Sequence, residues 1–434
     1  MAHRPLNLSL LATSASLASL LCGAPAQASG FYIPEQSVKA AGRAYSGEAA
    51  DVGPESLWWN PAAIGGLSET RAAIGVTPIF PRLKVRDRNS QIVRPGQAPA
   101  PVGGDPSPDN PAKFGAVPSG AVAIPLTDRI AVGLAVTSPY SFTNDYAADS
   151  FTRYAADRTR LITLDLQPSI AVQATDWLRI GAGLNIEYSD AFLSVALPNL
   201  SPLLPDGKQA LTGDGWDAGW SAGVQLIAGK AVAGFSYKSS IEHNLSGQLE
   251  LSGLTGPLAG ANARFPVKAS FRTPWQAIGA LRVQATPELA LSGQITRFGW
   301  SKFDRVRLSA PPGAFIAEDY RDTWLVAGGA DYALNPSWTI RGGLYYDQTP
   351  TRNGFRNPSV PDANRMSFNT GASVRLSERL IVDAAAEYIL FERSTLDRRR
   401  VAFEGTPVAT QILTDGVLAS GNAFTLGLGA RLSF

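Results

Sequence analysis

The pentad Gly219-Trp220-Ser221-Ala222-Gly223 spells G-x-S-x-G. On a strand-to-helix turn that pattern exposes a serine nucleophile. Hydrolysis also needs a base within hydrogen-bond reach of the serine. The chain has two histidines and one cysteine. His3 and Cys22 fall in a leader that reads as removable, so His243 is the single imidazole of the mature chain and no thiol remains. Disulfides are then excluded, and a transition metal is poorly served, because zinc sites draw on several His or Cys. The pentad lies inside a strand-like alternation instead of at a strand–helix junction. No catalytic residue, metal ligand or cofactor is therefore expected.

What remains is chemistry of burial, and the surrounding elements point the same way. Residues 1–28 read as a secretory signal: His3 and Arg4 give a basic start, an apolar stretch runs from Leu6 to Cys22, and Ala26-Gln27-Ala28 supplies the small-x-small cleavage pattern. The stretch is short and broken by Asn7, Thr13 and several serines, which disfavours a membrane-spanning helix. Residues 29–69 are rich in Gly, Ala, Ser and Glu without sustained alternation, and suggest short helices and turns. Residues 70–434 form a succession of alternating segments, roughly fourteen, most of them long enough to cross a bilayer when tilted. The 434 residues suit one large barrel plus extras, and the 42 glycines and 31 prolines suit many strands and turns. A net charge of +2 gives no reason to expect nucleic acid.

Two segments show the pattern most clearly. Leu178, Ile180, Ala182, Leu184, Ile186 and Tyr188 alternate with Arg179, Gly181, Gly183, Asn185, Glu187 and Ser189. At the C-terminus Phe424, Leu426, Leu428, Ala430, Leu432 and Phe434 alternate with Thr425, Gly427, Gly429, Arg431 and Ser433. An apolar face can meet lipid while the polar face meets a watery lumen, and closure leaves no unpaired edge. Short turns such as Thr175-Asp176 and Asn335-Pro336 alternate with long connections near 87–112, 140–158 and 394–419. That is the rhythm of an outer-membrane barrel with tight periplasmic turns and long external loops. The expected fold is all-β: a transmembrane antiparallel barrel of about 14 strands, preceded by a small N-terminal region of short helices and turns. Phe434 at the terminus reads as a contact for the outer-membrane assembly machinery. Arg398-Arg399-Arg400, in the last long loop, reads as a solvated face able to meet lipopolysaccharide phosphates.

A family resemblance rests on specific residues. Gly30-Phe31, Gly42-Arg43-Ala44-Tyr45-Ser46-Gly47-Glu48 and Asn60-Pro61-Ala62 resemble the N-terminal hatch of the FadL family, outer-membrane transporters of long-chain fatty acids and other hydrophobic compounds. The likeness continues through Ser138-Pro139-Tyr140, Gly213-Asp214-Gly215-Trp216, Trp300-Ser301-Lys302-Phe303, Asp322-Thr323-Trp324 and Tyr346-Asp347-Gln348-Thr349-Pro350. It implies a monomeric fourteen-stranded barrel with a plug and lateral release of ligand through a kinked third strand. Ser138 and Pro139, at the outer end of the third segment, are the candidates for that opening. Gly42, Asn60, Pro61 and Ala62 are expected in the hatch. Phe31 matches a position near the ligand pocket, and Arg321 matches a basic residue associated with a ligand carboxylate. A second basic position falls instead on Asp190, a departure that puts a fatty-acid substrate in doubt and leaves room for a neutral hydrophobic compound. An outer-membrane lipid hydrolase and a general diffusion porin are the alternatives.

Overall fold

The computed structural model describes residues 30–310 and 313–434. The expected signal segment, residues 1–28, lies outside the described residues. Fourteen antiparallel strands close into a barrel. They are β1 Arg71–Asp87, β2 Gly115–Pro125, β3 Ile130–Thr137, β4 Arg158–Thr175, β5 Leu178–Leu197 and β6 Gly207–Ala228. Then come β7, in two segments Ala231–Lys238 and Glu242–Ser252, and β8, in two segments Ala263–Arg272 and Gln276–Gln284. The last six are β9 Leu289–Phe298, β10 Thr323–Ala333, β11 Trp338–Asp347, β12 Arg365–Arg375, β13 Leu380–Phe391 and β14 Thr410–Ser433. Closure pairs β1 with β14, placing Arg71 opposite Ser433 and Phe80 opposite Phe424.

The two-residue period sorts side chains as the alternation requires. On β5, Leu184 is 57% exposed on the outside while Asn185 and Glu187 are fully buried within. On β14, Phe424, Leu426 and Leu428 face outward and Ala423 and Thr425 face in. Six connections at one end span only 126–129, 176–177, 229–230, 285–288, 334–337 and 376–379. Local side-chain acceptors turn the chain there: Asn335 Oδ1 takes the Ser337 and Trp338 amides at 2.9 and 3.0 Å, and Thr127 Oγ1 takes that of Ile130 at 3.0 Å.

The opposite end is more ordered than its composition suggests. Ser394–Ala402 pairs with the outer half of β14, Ser394 opposite Leu418. This pairing splits the arginine run between two faces. Arg398 Nη2 donates to Ala317 O at 2.6 Å, and Arg400 reaches Tyr154 O at 2.7 Å and Gln209 Oε1 at 3.1 Å. Arg399 between them is exposed. Two of the three arginines therefore tie external loops together, and one meets solvent.

Residues 30–70 fill the lumen as a string of short turns: a helix at Val38–Ala41 and 3-10 turns at Glu48–Ala50, Pro54–Ser56 and Pro61–Ile64. Ser37 and Asn60 cap the first and last of these, and Pro54 and Pro61 occupy first-turn positions where a missing N–H is harmless. Arg43, fully buried, contacts Glu48, meets Asp51 at 2.5 Å and Asp331 of β10 at 3.4 Å. Asp331 also holds Arg282 at 2.7 Å and Arg341 at 2.5 Å. Such a buried network tolerates no lost partner, because a single deletion strands a charge.

Glycines let the hatch sit against the wall. Gly181 and Gly223 lie under Pro61-Ala62 and Asn60, and a Cβ at either would overlap the hatch. Gly42 packs against Gly371 in the same way. Asn60, with no exposed surface, donates to Ala49 O at 2.7 Å and to Val224 O of β6 at 3.2 Å.

Candidate functional site

Above the hatch the barrel encloses an apolar cavity with about 670 Å³ of empty space, part of it open to solvent. Phe31, Phe142, Leu161, Leu245, Phe271 and Phe303 form much of its wall. These side chains come from the hatch, from β4, β7 and β8, and from loops, so only closure of the barrel brings them together. Phe31 is almost fully buried, its ring centroid 4.9 Å from Trp300, 5.1 Å from Phe303, 5.8 Å from Tyr140 and 5.9 Å from Phe142. It is both an anchor of the aromatic cluster and part of the cavity surface. Glu318, in the loop before β10, also lines the cavity. Burial pushes its carboxyl up to about 7, against the opposing pull of Arg398.

Beside the cavity the wall is interrupted. β2 pairs with β3 only from Gly120 opposite Val136 to Pro125 opposite Ala131, while Gly115–Ser119 pair with β1 alone. The chain after Thr137 leaves the ladder for residues 138–141 and rejoins β4 at Phe142. Ser138 and Pro139 stand at this break. Pro139 has no N–H to give a neighbouring strand. The hatch supplies the missing partners: Ile33 N donates to Pro139 O at 2.8 Å, and Ser138 N donates to Gln36 Oε1 at 2.9 Å. Gln36 Nε2 returns a bond to Ser138 O at 3.0 Å, and Tyr32 bridges Tyr140.

Phe31, Ser138 and Pro139 are thus brought together. Arg321 is not among them: it is exposed, donates from Nε to Thr349 O at 3.3 Å, and lies outside the cavity wall. Asp190 sits on the outward face of β5, paired with Arg160 at 2.9 Å. Gly42, Asn60, Pro61 and Ala62 contact the wall below the cavity. Gln36 and Glu318 carry no local sequence signal, because their partners lie far along the chain or in a loop.

The G-x-S-x-G pentad is strand. Ser221 pairs with Gly183 and Lys238, its Oγ has no partner among the described residues, and Gly223 seats Asn60. His243 is bonded to Ser189 Oγ at 3.1 Å instead, both fully buried.

The family model described as "Outer membrane protein transport protein (OMPP1/FadL/TodX)" matches residues 19–434. The chain is 27% identical over 417 residues to the long-chain fatty acid transport protein of Escherichia coli O6:H1, covering 86% of this chain and 90% of that protein. It is 26% identical over 448 residues to the 47 kDa outer membrane protein of Pasteurella multocida, covering 96% and 97%. Its fold matches a Pseudomonas aeruginosa FadL homologue with a TM-score of 0.81 at 23% identity, covering 93% of this chain and all of the other. The Pseudomonas putida toluene transporter TodX matches with a TM-score of 0.61 at 17% identity, covering 88% and 94%. With its closed barrel, lumenal hatch and match over nearly the whole length, the chain belongs to the FadL/TodX family of outer-membrane transport proteins.

Proposed function

We propose that the protein takes up long-chain fatty acids or other hydrophobic compounds across the outer membrane by holding them in the apolar cavity and releasing them sideways at Ser138-Pro139. The observation that carries this reading is the adjacency of cavity and break, joined through Phe31 and Gln36 of one hatch segment. An alkyl chain gains about 0.8 kcal/mol per methylene buried in such a cavity, which a water-filled pore does not offer. Sideways release keeps the ligand out of water. The long-chain fatty acid relatives and the toluene transporter support the substrate class. Phe31 acts as the aromatic contact for ligand, and Arg321, outside the cavity, acts at most on a ligand approaching from outside. The protein works as a monomer, with Phe434 read by the assembly machinery and Arg399 free to meet lipopolysaccharide. It is a channel and no enzyme.

Mass spectrometry of lipophiles carried through purification, followed by binding of a panel of fatty acids and aromatic hydrocarbons, tests this. Retained hydrophobic compounds and saturable binding are expected. No binding across the panel overturns the reading.

A further inference from the structure

Below the cavity the wall changes character. On β5 the inward residues descend from Ala191, which lines the cavity, through Ser189 and Glu187 to Asn185. On β7 Leu245 lines the cavity and His243 follows. His243 stacks on Phe271 of the cavity wall with centroids 4.9 Å apart. Its Nε2 is 3.5 Å from Glu187 Oε1 without making a hydrogen bond. Glu187 stands directly across from Asp165 of β4, and Asn185 Nδ2 donates to Asp165 Oδ2 at 2.8 Å. On the side of the wall break, Gln276 of β8 donates from Nε2 to Tyr140 at 3.1 Å.

Five oxygens in this layer are buried and without a hydrogen-bond partner among the described residues: both of Glu187, Asp165 Oδ1, Asn185 Oδ1 and Gln276 Oε1. Each of the five can accept, and the two amide oxygens can only accept. The nearby cation, Lys238, acts on Asp165 and Glu187 through space but makes no hydrogen bond to these five oxygens: its Nζ is 2.9 Å from Gln167 Oε1 and 3.3 Å from the centroid of the Trp58 ring. Unmet buried acceptors are costly unless donors arrive. Two of the side chains are amides, so the set is more than a group of acids.

We propose that this layer receives the polar end of the ligand as it moves from cavity to wall break, and that the ligand is a hydrophobic compound ending in a hydrogen-bond donor, a hydroxyl, phenol or ammonium. The inference rests on the uptake reading above. A carboxylate end brings further acceptors against Glu187 and Asp165, and in the cavity it faces Glu318. A donor end satisfies oxygens that the protein leaves open.

The test uses the full mature chain in detergent and four twelve-carbon probes, dodecylamine, dodecanol, dodecanoate and dodecane, each displacing a fluorescent hydrophobe. Dodecylamine and dodecanol are expected to bind about tenfold or more tightly than dodecanoate, as a charge-assisted hydrogen bond provides. Glu187→Gln, which replaces an acceptor oxygen by an NH2 donor, is expected to cut that preference roughly threefold to fivefold, while dodecane affinity is unchanged. Gln276→Leu serves the same purpose if Glu187→Gln does not fold. Dodecanoate binding as tightly as dodecylamine, or a preference untouched by the substitutions, overturns the inference while leaving uptake standing. Failure of all four probes to bind overturns both.

Discussion

Replacing Gln36 by Ala isolates the link between hatch and wall break. Its side chain makes three hydrogen bonds: from Nε2 to Ile33 O at 2.9 Å and to Ser138 O at 3.0 Å, and from Ser138 N to Oε1 at 2.9 Å. Both polar backbone groups of Ser138 lose a partner in Gln36→Ala, in a place where Ser138 is 8% exposed. Taking about 1 kcal/mol for each stranded group, at the low end for buried groups, the closed arrangement loses about 2 kcal/mol. At about 1.4 kcal/mol per factor of ten, local opening rises about 30-fold. Hydrogen exchange read by mass spectrometry measures this on peptides containing Ile33 and Ser138. Exchange there should accelerate by about that factor, while peptides in the middle of β4 and β5 stay protected. Unchanged exchange at Ile33 and Ser138 refutes the idea that Gln36 stands in for β2.

Other consequences can be checked separately. Gly223→Leu places a side chain where Asn60 sits, so the hatch should lift and single-channel conductance in planar bilayers should rise; an unchanged conductance removes the glycine seat from the account. Glu318 is neutral below about 7 and charged above it, and a neutral hydrocarbon binds best beside the neutral form. Its affinity should therefore fall as pH rises through about 7, and Glu318→Gln should flatten that profile. The same raised value makes the folded state lose stability as pH climbs from the ordinary carboxylate range toward about 7. Removing Phe434, which is exposed and held by its amide to Thr70 O at 2.9 Å, should reduce the amount inserted into the outer membrane while inserted protein binds ligand normally; equal insertion contradicts an assembly role.

The barrel was legible because its signal is local. Asn185 and Leu184 are neighbours in sequence and opposite in environment, and that contrast repeats on strand after strand. The short turns were legible for the same reason, since Asn335 and Thr127 bond within three residues. The site was less so. The Gln36–Ser138 contact spans 102 positions and the Gly30–Asp362 contact 332, and nothing in a local pattern announces either. The hairpin at Ser394–Ala402 was expected to be loop because its charges mask a strand whose partner is the overlong β14. Arg321 was named by position alone, and its contact with Thr349 O, outside the cavity wall, has no local signal either.

In the proposed uptake route, ligand leaves the cavity where the hatch covers the break after β3. Tyr32 and Tyr140 form an isolated antiparallel bridge across that contact, a pairing with Cα atoms about 4.5–5.5 Å apart, within the range a disulfide spans. No described residue is a cysteine, so Tyr32→Cys with Tyr140→Cys gives one defined lock among them. Uptake of a labelled hydrophobic compound is to be compared in cells carrying this variant, oxidised and then reduced. Exit at this break predicts that the oxidised form binds ligand but loses uptake, and that reductant restores it. Uptake that continues unchanged with the lock closed contradicts it.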